Sequence, residues 1–67
     1  MIRLRVREVA EEKGMSMGKL ARAADIDTKT LRRIYRNPTS EISTVTLDKL
    51  ARALGVDASH LLESIPE

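Results

Sequence analysis

The sequence predicts an all-α fold, a bundle of five short helices in which the second and third form a helix-turn-helix. Apolar residues recur at helical spacing, and residues that favour helix starts and ends separate the periodic segments. The motif Lys-Leu-Ala-Arg-Ala occurs twice, at residues 19–23 and 49–53, which indicates a repeated helix. The 67 residues include no cysteine, so a compact core must stabilise this small chain without disulfides.

The N-terminus fits two structures. Apolar and basic side chains alternate over residues 1–7 as in a strand, although the apolar side chains also continue a helical stripe. We favour an extended segment at residues 2–4, followed by a helix over about 5–13 that Gly14 ends. An extended segment needs a partner for its edge, and we expect either residues 41–43 or the same segment of a second chain.

The second and third helices enclose a very short turn. Ser16 is placed to cap a helix over about 17–24, and Asp27 to cap a helix over about 28–36 that ends at the following Asn-Pro pair. Asp25 occupies the turn, where the expected positive φ would suit glycine or asparagine better. Two helices joined this closely must cross steeply, as in a helix-turn-helix.

Two further helices are predicted after a polar loop. The fourth is capped by Ser43 or Thr44, carries a stripe of apolar side chains and runs to Leu54, where Gly55 ends it. A fifth follows over about 58–64, and a proline close behind it stops the chain from continuing as a helix.

The internal repeat relates the two helix pairs by thirty residues. Asp25 matches Gly55 at the turn, and Asp27 matches Asp57 at the next cap. The fourth and fifth helices are therefore expected to form a second helix-turn-helix. Only the first copy carries basic residues on its second helix, and these are Lys29, Arg32, Arg33 and Arg36.

Charge is unevenly distributed along the chain. The net charge of +2 divides into +1 for residues 1–18, +4 for residues 19–36 and −3 for residues 37–67. The positive part coincides with the first helix-turn-helix, which is the footprint expected of a phosphate-binding face, although a solvated charged helix is the alternative. A rigid helix with one apolar and one basic face also suits the DNA major groove.

The sequence gives no basis for an enzyme, a cofactor or a metal site. His60 is the only histidine and is expected at the surface, and the adjacent Ser59 points in a different direction on a helix. There is no glycine-rich phosphate loop. No run approaches the about 20 apolar residues of a membrane span, and no signal peptide is present, so we expect a cytoplasmic protein that does not bind membranes.

Three stretches together resemble the XRE family, the Cro/CI-type repressor DNA-binding domain. The resemblance implies one lambda-repressor-like domain over residues 1–67, with the third helix in the major groove, of the compact bacterial or phage type. The stretches are Gly14-x-Ser16-x-x-x-Leu20-Ala21, Ile26-Asp27-x-x-Thr30-Leu31-x-x-Ile34 and Thr46-Leu47-x-x-Leu50-Ala51-x-Ala53-Leu54-Gly55-Val56.

The resemblance also assigns DNA contacts by position. Basic side chains favour guanine, and a threonine methyl can contact thymine. The implied base contacts are Thr28, Lys29, Arg32 and Arg33. The implied phosphate contacts are the backbone N–H groups of Ser16 and Met17 and the side chains of Arg36, Asn37, Thr39 and Ser40.

Three positions depart from the family pattern. The family commonly has glutamine at Met17 and glycine at Asp25. It often pairs an arginine and a glutamate at the positions of Ala10 and Tyr35, and both charges are missing here. We expect the Tyr35 ring to pack over Ala10 instead, because one charge left buried and unpaired would cost about 3–5 kcal/mol.

Charge and resemblance together predict a sequence-specific double-stranded DNA-binding transcriptional regulator, a repressor associated with the nucleoid. One helix reads few base pairs, so we expect a homodimer, formed through Leu61, Leu62 and Ile65 or through the N-terminal segment. The alternative is an antitoxin or adaptor module that acts mainly through a protein partner.

Overall fold

The computed structural model describes residues 1–66 as a helical domain with a small sheet. Four α-helices, a 3₁₀ helix and two short strands follow one another along the chain. Their bounds are β1 Ile2–Leu4, α1 Val6–Glu12, α2 Met17–Ala24, α3 Thr28–Arg36, α4 Thr44–Leu54, the 3₁₀ helix Ala58–Leu61 and β2 Leu62–Ser64.

The core is entirely aliphatic and draws on every helix. Leu20 of α2 and Leu50 of α4 are fully buried, and these two residues occupy the same position in the two copies of the repeat. Leu31 and Leu61 also correspond, and both are fully buried. The repeat is therefore structural, because equivalent residues supply equivalent parts of one core.

α1, α2 and α4 end with the same backbone geometry. Gly14, Asp25 and Gly55 adopt φ values of 67°, 56° and 70°. The N–H of the next residue then donates to the carbonyl five residues earlier, which stops the helix with its last carbonyls satisfied. These bonds are Met15 to Ala10 at 2.9 Å, Ile26 to Ala21 at 3.0 Å and Val56 to Ala51 at 3.0 Å. The positive φ predicted at Asp25 is confirmed.

The predicted side-chain caps are also present. Ser16 Oγ accepts a hydrogen bond from the Lys19 N–H at 3.2 Å, and Asp27 Oδ1 accepts one from the Lys29 N–H at 2.9 Å. Of the two candidates for α4, Ser43 is the cap, since its Oγ accepts from the N–H of the third helical residue at 3.1 Å. The starts of α2, α3 and α4 are thus set by local sequence.

The predicted fifth helix is wrong. The repeat holds through Asp57, whose Oδ2 accepts from the Ser59 N–H at 3.1 Å, but the next turn is a 3₁₀ helix that ends at Leu61. Residues 62–64 then form a strand. Two effects oppose a longer helix here: the residue before Pro66 disfavours helical geometry, and the N-terminal strand needs a partner.

The extended N-terminal segment is confirmed, but residues 41–43 do not pair with it. β1 pairs antiparallel with β2, and the register sets Arg3 opposite Glu63, whose side chains form a 2.9 Å ion pair. We call this pair of strands the terminal sheet. On its other edge β1 donates the Leu4 N–H to the Pro38 carbonyl at 2.7 Å, so β1 also fixes the chain that leaves α3.

Candidate nucleic-acid interface

The outward face of α3 is basic along its whole length. Leu31 and Ile34 bury the inner face and hold the helix against the core. The opposite face carries residues at positions i, i+3, i+4 and i+7, which lie in one row on a helix. All four side chains in this row are exposed, and they are Lys29, Arg32, Arg33 and Arg36.

The four cations of this row have no acidic partner among residues 1–66. Every ion pair found in that part of the chain uses a basic residue from another element. These pairs are Arg3 with Glu8 and Glu63, Arg5 with Glu12, Arg7 with Glu11, and Arg52 with Asp48. The positive charge of α3 is therefore available to a polyanion rather than neutralised within the domain.

The first residue of α3 completes the set of implied base contacts. Thr28 is exposed and follows directly on the Asp27 cap. Because an α-helix rises about 1.5 Å per residue, Thr28 lies roughly 12 Å along the axis from Arg36. The implied base contacts therefore occupy the N-terminal part of the exposed face, and Arg36 occupies its end.

The N-terminus of α2 presents free backbone donors. The Ser16 hydroxyl accepts the N–H of Lys19, and the Ser16 carbonyl accepts that of Leu20 at 2.9 Å. Within the described chain, the N–H groups of Met17 and Gly18 have no hydrogen-bond acceptor. A helix N-terminus with unpaired donors attracts anions. The Met17 side chain is half-buried against the core.

The loop after α3 places the remaining implied phosphate contacts. The Thr39 hydroxyl donates to Asn37 Oδ1 at 3.0 Å, which directs the Asn37 amide nitrogen away from this bond. Both residues are exposed. Ser40 differs, because its Oγ is buried and has no hydrogen-bond partner among the described atoms, while its N–H donates to the Asn37 carbonyl at 3.0 Å.

A cavity of about 500 Å³ beside α3 adds residues that sequence reasoning missed. Arg7 and Glu11 of α1 face Tyr35 and Arg36 of α3 across it. Tyr35 is half-buried against the core that contains Ala10, and packing of its ring over Ala10 itself stays a prediction. No sequence pattern indicates that Arg7 lies beside α3, because its position depends on how α1 packs against α3.

Potential metal-ligating side chains are dispersed over residues 1–66. No three histidine, cysteine, aspartate or glutamate side chains come together as metal ligands there. His60 is exposed, as expected. No helix in this part of the chain has the length and apolar character needed to cross a membrane.

Comparison with known proteins agrees with this geometry. Residues 5–67 match the family model of the Cro/C1-type helix-turn-helix DNA-binding domain. The solution structure of the N-terminal DNA-binding domain of SinR, the master biofilm regulator of Bacillus subtilis, is similar. It has a TM-score of 0.76 and 32% identity, over 94% of this chain and 91% of that one.

A second solved structure, the complex of the SinR and SinI proteins, is also similar. Its matched chain has a TM-score of 0.77 and 30% identity, and the match covers 84% of this chain. It covers 54% of the matched chain, so the present chain spans about half the length of that relative. No curated protein sequence matches this chain significantly.

Proposed function

Because this chain belongs to the Cro/C1-type helix-turn-helix DNA-binding family, we propose that it is a sequence-specific regulator of transcription, a repressor, that binds double-stranded DNA with α3 in the major groove. This family is a class of DNA-binding regulators and not of enzymes. The observation that carries the proposal is the exposed row of four cations on α3, none of which has an acidic partner within residues 1–66.

The proposal assigns separate roles to the exposed residues. Thr28, Lys29, Arg32 and Arg33 contact base edges and so determine sequence preference. The N-terminus of α2 at Ser16 and Met17 holds one phosphate. The other phosphate contacts come from the end of α3 and the next loop, namely Arg36, Asn37 and Thr39. The side chain of Ser40 is left out of this set, because its Oγ is buried and does not reach the surface.

Selection of bound sequences from a random duplex library, followed by titration at several salt concentrations, tests this proposal. We expect a steep fall of affinity with salt. Arg36→Ala should lower the magnitude of that slope by about 0.9 without changing the selected sequence, whereas Arg33→Ala should relax selection at one position. Arg52→Ala is the control, since it removes the same charge from α4. Absence of binding to any duplex at about 50 mM salt would refute the proposal.

We further propose a homodimer that binds a two-fold site, because one reading helix gives low affinity. Of the residues expected at its interface, Leu61 is fully buried, so it cannot contact a partner. Leu62 is exposed and lines an apolar groove of about 430 Å³ with Met1 and Ile2 of the N-terminal segment. This groove shares no lining residue with the basic face of α3, although Thr39 and Ser40 of the loop after α3 line it.

Sedimentation equilibrium tests the dimer. Leu62→Glu places a charge in the groove and should give a monomer, whereas Val45→Glu places one at an exposed apolar residue outside the groove and should not. A dimeric Leu62→Glu variant would exclude this groove as the interface, and a monomeric parent chain would exclude the homodimer.

The similarity to a chain solved in the SinR and SinI complex favours a second candidate function, binding of a regulatory protein partner. In that case the helix-turn-helix serves mainly as a scaffold, as in an antitoxin or adaptor. The discriminating variant combines Lys29→Ala with Arg33→Ala. A stoichiometric partner that still co-purifies with this variant, together with a parent chain that selects no DNA sequence, would favour the second function.

A further inference from the structure

The cavity between α1, the N-terminus of α2 and the end of α3 joins proposed DNA contacts to three residues without an assigned role, Arg7, Glu11 and Tyr35. It is open to solvent, has a volume of about 500 Å³ and is rich in arginine. Three guanidinium groups line it, from Arg7, Arg32 and Arg36, against one carboxylate, Glu11. Ser16, the cap of α2, lies on its wall, so the free N–H groups of that helix start are at the same place.

The single carboxylate of the cavity is bonded to the arginine on its own helix. Arg7 Nε lies 3.3 Å from Glu11 Oε1, and both side chains are largely exposed, at 62% and 68%. An i, i+4 ion pair stabilises a helix less when the basic residue precedes the acidic one, as Arg7 precedes Glu11 here. A single long hydrogen bond between exposed groups holds Arg7 only loosely, so a stronger anion can displace Glu11.

Tyr35 supplies a neutral donor to the same cavity. The ring is half-buried, and this burial, together with the nearby Glu11 carboxylate, raises the pKa of Tyr35 above its ordinary value. The phenol therefore keeps its proton at neutral pH. Its hydroxyl makes no hydrogen bond to any residue in 1–66, which leaves it free to donate to a ligand.

We propose that this cavity holds a backbone phosphate of duplex DNA, that Arg7 of α1 is a phosphate ligand outside the helix-turn-helix, and that Glu11 is an intramolecular competitor for its guanidinium. This inference rests on the proposed DNA-binding function and adds a regulating element to it. Arginine can bind phosphate with two hydrogen bonds, so the incoming phosphate replaces one long contact with a shorter and stronger set. Glu11 thereby lowers affinity for all DNA sequences equally.

A matched ion pair elsewhere on the chain provides the control. Arg52 Nε lies 2.9 Å from Asp48 Oδ2 on α4, again with i, i+4 spacing and exposed side chains. Neither residue lines the cavity. Charge changes at this pair report the general electrostatic effect, which salt screens over about 10 Å.

The experiment measures affinity for the selected duplex as a function of salt, for six proteins: the parent, Arg7→Ala, Glu11→Gln, the double variant of these two, Arg52→Ala and Asp48→Asn. Arg7→Ala should lower the magnitude of the salt slope by about 0.9. Glu11→Gln should tighten binding about 1.5- to 5-fold, the range that corresponds to release of an exposed ion pair. In the double variant the gain from Glu11→Gln should disappear, because Glu11 acts through Arg7.

The outcomes separate this inference from the function on which it rests. If Arg36→Ala weakens DNA binding but Arg7→Ala changes it no more than Arg52→Ala does, the inference is wrong and the proposed function stands. If Glu11→Gln tightens binding no more than Asp48→Asn, or does so equally without Arg7, the competitor role is wrong. If the parent selects no duplex, the proposed function itself fails.

Discussion

Replacing Asp25 with glycine should stabilise the domain. Asp25 ends α2 with φ 56° and ψ 51°, and its equivalent in the repeat is Gly55, which has φ 70° and ψ 31°. The left-handed conformation costs a non-glycine residue roughly 1–2 kcal/mol, less for aspartate than for bulkier residues. Glycine avoids this cost, but the greater entropy of its unfolded chain reduces the gain in stability by about 0.4–1 kcal/mol.

The expected net gain for Asp25→Gly is therefore about 0.5–1 kcal/mol in the free energy of unfolding. In a domain of this size that raises Tm by roughly 2–8 °C. Urea and thermal unfolding followed by circular dichroism measure both quantities, and an unchanged m value would show that the surface exposed on unfolding is the same in both proteins.

Two further variants separate backbone strain from charge. Gly55→Ala should lose about 1 kcal/mol, since a Cβ there has no neighbour within 4 Å and the cost is conformational alone. Asp25→Ala removes the negative charge at the end of α2, where the helix dipole disfavours it, but keeps a Cβ in the left-handed conformation. If Asp25→Ala gains as much as Asp25→Gly, or if Asp25→Gly gains nothing, the strain argument is refuted.

Three further predictions concern the core, a cap and pH. Leu31→Ala should lower the free energy of unfolding by about 2–5 kcal/mol, measured by urea unfolding, because Leu31 is fully buried. Ser43→Ala should cost about 0.5–2 kcal/mol in the same assay, since it frees the Thr46 N–H. Side-chain and backbone hydrogen bonds from Ser59 lower the pKa of Asp57 below its ordinary 3.8. The stability that Asp57 contributes should therefore be complete above about pH 4 and be lost as the pH falls through the lowered pKa of Asp57 in the folded state. Urea midpoints of the parent and of Asp57→Asn, measured at several pH values, test this.

Local signals in the sequence were sufficient to predict α2, α3 and α4 and the end of α1. Ser16 and Asp27 cap their helices through bonds to residues two or three positions away, and Gly14 and Gly55 adopt the positive φ that ends a helix. Such contacts depend on neighbours in the sequence, so spacing alone reveals them. The basic row on α3 was predictable for the same reason, because helical periodicity fixes which side chains share a face.

The features that sequence reasoning missed depend on distant residues. Residues 62–64 form a strand rather than a helix because they pair with β1. The paired residues Arg3 and Glu63 are 60 positions apart, so no local pattern indicates this pairing. Leu62 fits a helical stripe as well as it fits a strand, so its neighbours could not decide between them. Arg7 joins the cavity only through the packing of α1 against α3, and no local pattern indicates that arrangement.

The terminal sheet has a consequence for the order in which the domain folds. Ile65 donates its N–H to the Met1 carbonyl at 2.8 Å, and the N-terminal amine donates to the Ile65 carbonyl across 64 positions. Closing so long a loop before the helices exist carries a large entropic cost, whereas the helices need only local contacts. The two strands should therefore associate after the folding transition state. Substitutions in them should accelerate unfolding and leave the folding rate almost unchanged. The kinetic φ-value, which is the change in the activation free energy of folding divided by the change in the free energy of unfolding, should therefore be near zero.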